Sequence, residues 1–126
     1  MIDTFCWNIR GFNNSVRQRN FRKFFRLSKA LFGSIIETRV KEHRSRKILH
    51  TSFPGWKYVC NYEFVVLGRI WVVWDPSMDV TIVSKSDQAI TCIVRLPHNP
   101  VEFAVTFIYA VNCRYGRRRL WQEIED

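Results

Sequence analysis

Apolar residues recur along this chain in more than one rhythm, and each change of rhythm marks a change of element. From Ile2 to Ile9 they alternate, with Ile2, Cys6 and Asn8 on one side and Phe5, Trp7 and Ile9 on the other. Apolar residues on both sides predict a strand buried on two faces. Gly11 and Asn13-Asn14 break it. Between about Val16 and Phe32 the spacing becomes helical: Phe21, Phe24, Phe25, Ser28, Leu31 and Phe32 share one face, and Arg19, Arg22, Lys23 and Arg26 the other. Ser15 suits the N-cap and Gly33 the stop.

A short buried strand follows over 34–38, ending at the acid Glu37. The polar stretch from Arg39 to Thr51 predicts a loop with a short helix, closed by Pro54-Gly55. From Trp56 onward the pattern is β, with strands expected near 57–62, 68–74, 79–84, 89–96 and 101–110. Asp75-Pro76 and the stretch from Pro97 to Pro100 supply turns. In the last strand Val101, Phe103, Val105, Phe107 and Tyr109 share a face, and 114–125 returns to a helical pattern. The order is βαβ, a run of antiparallel strands, then a helix. It predicts an α+β domain over 1–126: one mixed sheet with flanking helices.

Charge changes the picture because it is unevenly placed. Of the twenty Lys and Arg, twelve lie between Arg10 and Lys47, where the only acids are Glu37 and Glu42. A second cluster, Arg114 with Arg117-Arg118-Arg119, lies near the C-terminus. Such segments favour anionic partners, DNA or RNA first, though a basic face is also an ordinary solvated surface. With 47% hydrophobic residues the chain is not compositionally disordered. Cys6, Cys60, Cys92 and Cys113 form no C-x-x-C pair, and three of them lie in apolar runs, which predicts small buried thiols in a reducing compartment. No signal-peptide pattern or bilayer-length apolar run is visible, so the expectation is an intracellular protein, neither secreted nor held in a membrane.

The polar residues at the ends of apolar strands carry the candidate chemistry: Asn8, Glu37, Tyr109 and Asn112. Strand ends in layered folds converge on one rim, where loops hold ligands without burying unpaired backbone. A carboxylate beside a carboxamide offers the hard oxygen ligands Mg²⁺ prefers, and such an ion polarises phosphate. Each residue also has an ordinary explanation. Asn8 suits a turn, Glu37 can pair with Arg39 or Lys41, Tyr109 can be a strand aromatic and Asn112 a loop residue. His43, His50 and His98 lack zinc-site spacing, and no P-loop, G-x-S-x-G or dinucleotide fingerprint occurs.

Together these residues resemble one family. Cys6-Trp7-Asn8-Ile9-Arg10-Gly11-Phe12-Asn13 is similar to the W-N-x-R-G-L-N opening of plant LINE-type retrotransposon endonuclease domains. Ile36-Glu37-Thr38 resembles their E-T. Gly68-Arg69-Ile70-Trp71-Val72-Val73-Trp74-Asp75-Pro76 resembles G-R-I-W-x-x-W-D-P. Phe107-Ile108-Tyr109-Ala110-Val111-Asn112, followed by Arg119-Leu120-Trp121, resembles V-Y-A-x-N and R-x-L-W. These domains belong to the endonuclease/exonuclease/phosphatase superfamily, with DNase I and the apurinic/apyrimidinic endonucleases. The resemblance spans essentially the whole chain, in order.

It implies the N-terminal half of a four-layer α/β/β/α DNase I-like sandwich acting on DNA in the nucleus. Asn8 and Glu37 would hold Mg²⁺ (or Mn²⁺), with Glu37 the main ligand, and Tyr109 and Asn112 would touch the scissile phosphate. Arg10 would meet phosphate or a neighbouring acid. Arg10, Arg17, Arg22, Lys41 and Arg114 are the candidate nucleic-acid contacts. The family's later G-D-x-N and S-D-H motifs, which supply the groups around the attacking water and the phosphate-polarising His, have no match after Asn112. The expectation is therefore a truncated domain, with weakened metal binding and negligible activity. A non-catalytic nucleic-acid-binding remnant is the alternative. Loss of the second half is further expected to uncover the sheet face of Phe103, Val105 and Phe107, inviting self-association.

Overall fold

The computed structural model describes residues 4–96 and 99–109. Its elements in chain order are β1 (Thr4–Asn8), α1 (Ser15–Leu27), β2 (Phe32–Ile36), α2 (Glu42–Ser52), β3 (Lys57–Cys60), β4 (Ile70–Trp74), β5 (Asp79–Lys85), β6 (Ala89–Leu96) and β7 (Asn99–Ile108). The class is α+β, but there are two sheets where the sequence predicts one. A four-stranded mixed sheet has the order β1-β2-β4-β3, with β1 and β2 parallel and the other pairs antiparallel. A three-stranded antiparallel sheet has the order β5-β6-β7.

The period of two along β4 explains how one sheet serves two cores. Trp71 and Val73 join Ile35 under the helices, packed with Phe21 of α1 and Ile48 and Leu49 of α2. Ile70, Val72 and Trp74 point the other way and meet Ile90, Cys92, Val94 and Phe107 of the second sheet. All five residues of β4 are buried. The layers are thus helices, mixed sheet, antiparallel sheet. Continuous apolar runs belong to strands covered on both faces, and β4 is that strand.

Several expectations are corrected by this packing. Phe103, Val105 and Phe107 are not uncovered: they face the mixed sheet, with Phe107 5.4 Å from Phe32 between ring centroids. β1 is not buried on two faces, because it is an edge strand; Phe5 and Trp7 pack under the helices while Thr4, Cys6 and Asn8 are exposed. The helix cap is Asn14, whose side chain accepts from the amides of Val16 and Arg17, not Ser15. α1 ends at Leu27, and Gly33 lies inside β2, where a Cβ would strike the Phe5 ring at 2.5 Å and its carbonyl. Phe32, placed on the helix by its spacing, is a buried strand residue. Val101, expected to share the face of Phe103, Val105 and Phe107, is 57% exposed. The helix expected over 114–125, together with Asn112 and Arg114, lies outside the described residues. Among the described residues no helix is long and apolar enough to cross a membrane.

Candidate functional site

The parallel pairing of β1 and β2 brings their C-terminal ends to one rim. Asn8 lies opposite Ile36 in the ladder, so Asn8 and Glu37 emerge on adjacent strands. Asn8 is exposed at the end of β1. Glu37 has φ 60° and Arg39 φ 56°, both in the left-handed region that non-glycine residues rarely adopt. Such backbone persists only where its surroundings hold it, and here they do. The Glu37 amide donates to Arg69 O at 2.6 Å, Arg39 to Gly68 O at 2.8 Å and Gly68 to Val40 O at 2.9 Å. On the other side the Phe12 amide donates to Thr38 O at 2.9 Å. Tyr62 adds a lock, its hydroxyl donating to Val40 O at 2.6 Å and accepting from Trp71 Nε1 at 3.1 Å. Burial pushes the Tyr62 phenol up to about 12.

The Glu37 carboxylate sits between two guanidiniums. Arg39 NH2 is 3.4 Å and Arg10 Nε 4.0 Å from Oε1, with the carboxylate side chain 18% exposed. The neighbouring acid that Arg10 meets is Glu37. Arg17 donates to the Arg10 carbonyl and so clamps the loop after β1. Lys41 is exposed at the start of α2, in a cleft of about 320 Å³ shared with Arg39, His43 and Arg44 and lined by no acid. Arg22 is elsewhere: it lines a cleft with Ala30 and Leu31, before β2, at the far end of the sheet.

Tyr109 follows β7 on the second sheet, its amide donating to Gln88 O at 2.8 Å. Arg69 connects it to the Glu37 rim. The Arg69 guanidinium lies 5.6 Å from the Tyr109 ring centroid, within cation–π range. It also donates to Asp87 O at 3.2 Å and stands 3.6 Å from Asp87 Oδ2. Buried Asn61 joins the same place, donating to Ser86 O and Asp87 O and accepting from the Ile70 amide. Asn8, Glu37, Arg69, Asp87 and Tyr109 therefore line one edge of the sandwich. Arg69 and Asp87 received no role from the sequence. Arg69 sits just before an apolar strand, the same strand-end position that singled out Asn8 and Glu37; Asp87 offers only a turn.

Among the described residues no three His, Cys, Asp or Glu side chains converge in a metal-binding group. His43 and His50 are exposed, and His98 lies outside the described residues. Cys6, Cys60 and Cys92 are free; Cys92 is buried and Cys60 partly so, but Cys6 is exposed on the open face of β1. Burial raises the Cys60 thiol to about 12 and the Cys92 thiol to about 11. No protein-family model and no curated protein matches this chain.

Proposed function

We propose that the chain carries the metal- and phosphate-binding rim of a Mg²⁺-dependent DNA endonuclease domain of the plant LINE type. Its ancestral reaction is phosphodiester hydrolysis, and these 126 residues do not cleave DNA alone. One observation carries the proposal: Asn8 and Glu37, the two residues the resemblance makes metal ligands, emerge side by side from parallel strands. The donor set fits the ion. Mg²⁺ takes one or two carboxylates and keeps several waters, and Glu37 with Asn8 offers one carboxylate and one amide oxygen. When bound, the ion would neutralise developing charge on a phosphate oxygen. Arg10 and Arg39 hold Glu37 and also present cationic groups to a phosphodiester. Arg69 orients Tyr109, whose hydroxyl would meet the phosphate, and Lys41 and Arg44 extend the basic surface along the strand. G-D-x-N and S-D-H are absent from the sequence, so no residue is assigned to activate water.

The second reading is metal-independent nucleic-acid binding. The two guanidiniums on Glu37 favour it, because they compete with a cation for Oε1. Supercoiled plasmid separates the two. The expected result is binding that tightens on adding Mg²⁺, with the gain lost in Glu37→Ala and no nicking by the wild-type chain. Binding indifferent to Mg²⁺ would favour the second reading. Nicking that disappears in Glu37→Ala would refute the assigned inactivity.

A further inference from the structure

At the opposite end of the mixed sheet from Glu37, the C-terminal ends of α1 and α2 and the start of β2 enclose a cleft of about 370 Å³. Three cations line it, Arg22, Arg26 and Lys29, and no acid does. None of the three takes part in an ion pair among the described residues. Arg26 alone would be explained by the α1 C-terminus, where a cation complements the helix carbonyls. Arg22 four residues earlier is not, since like charges at that spacing repel on a helix. The cleft's inner wall is of different character. Trp56 lines it, backed by Phe25 at 5.3 Å and Phe53 at 5.5 Å between ring centroids. Ser52 lines it too, and its buried hydroxyl has no hydrogen-bond partner in the described structure.

Unpaired cations along the cleft and an anchored indole in its wall together match a ligand that joins anionic groups to a flat ring. We propose that this cleft binds single-stranded nucleic acid, with phosphates on Arg22, Arg26 and Lys29 and one base against Trp56. A duplex does not fit this chemistry, because its bases are stacked inside and cannot reach a recessed ring. Single-strand sites combine a basic groove with aromatic platforms in this way. The site is separate from the Glu37 rim and does not depend on the endonuclease proposal.

The test is fluorescence anisotropy of the 126-residue chain with a labelled oligothymidylate of about twelve nucleotides, in EDTA, across a salt series. Arg26→Ala/Lys29→Ala is expected to lower the slope of log K against log salt by about 1.4. Trp56→Leu is expected to weaken binding roughly tenfold with the slope unchanged. Arg26 and Lys29 are exposed, so their removal leaves the cores intact. Arg46→Ala/Lys47→Ala, which removes the same charge from exposed positions of α2 outside this cleft, is the control. The proposal is overturned if that control costs as much as the Arg26/Lys29 pair, or if the Arg26/Lys29 pair binds unchanged. It is also overturned if the chain binds phosphatidylserine vesicles and not the oligonucleotide.

Discussion

Glu37 is the residue on which chemistry and conformation meet. Its backbone occupies the left-handed region at φ 60°, and its carboxylate lies between Arg10 and Arg39. Left-handed backbone costs an L-residue with a Cβ roughly 1–2 kcal/mol, and alanine bears that cost as glutamate does. Glu37→Gly is therefore expected to be more stable than Glu37→Ala by about 1 kcal/mol in urea unfolding, with both unable to hold a metal. Equal stabilities would mean that the loop relaxes when the carboxylate is removed. Arg39 makes the opposite case. Its guanidinium, 3.4 Å from Oε1, opposes a second cation there, so Arg39→Ala is expected to tighten Mn²⁺ binding severalfold in calorimetric titration. Weaker binding would show Arg39 positioning the carboxylate for the ion.

At the scale of elements the rim is built by hydrogen bonds between strand ends. Asn61 is 1% exposed and ties the end of β3 to the 86–87 turn and to β4. Asn61→Ala leaves the Ile70 amide without that acceptor, and its expected cost is about 2 kcal/mol in chemical unfolding. A loss below about 0.5 kcal/mol would mean that water replaces the side chain. Gly68 is just as constrained, because a Cβ there would strike Thr38 Oγ1 and lie 2.8 Å from Tyr62 OH. The apolar run over 68–74 made β4 legible as a strand, but its burial on two faces was not foreseen, that property having been expected of β1 instead. Strand-end placement singled out Asn8, Glu37 and Tyr109, which the fold gathers along one edge. Helical spacing misled at Phe32, because a strand residue can fall in register with a preceding helix by chance. The partition into two sheets was not legible either. It depends on which strands pair, and alternation is silent about partners. Asn61 and Arg69 were missed for a related reason: each acts on backbone distant in sequence.

The whole molecule has buried acidic groups that tie stability to alkaline pH. Burial raises Tyr62 from 10.0 to about 12, Cys60 from 9.0 to about 12 and Cys92 from 9.0 to about 11. A raised pKa means that the folded chain holds protons which the unfolded chain releases earlier. Their contribution is full below about pH 9, and stability falls as pH climbs toward 12. Thermal melts are expected to show this decline, shallower in Tyr62→Phe, which itself costs about 1 kcal/mol at neutral pH through the lost bond to Val40 O. A flat profile to pH 11 would count against burial of these groups. With Phe103, Val105 and Phe107 covered, the original reason for self-association is gone. Other apolar positions stay exposed, among them Val83, Ile93 and Ile108 on the antiparallel sheet, as does the Thr4, Cys6 and Asn8 face of β1.

Paramagnetic broadening of amide resonances by Mn²⁺ bears most directly on the rim. Broadening is expected to centre on residues 8–10, 36–38 and 68–70, and to vanish in Glu37→Ala. Signals that stay sharp throughout, or broadening that survives the loss of Glu37, would contradict a cation held between the ends of β1 and β2.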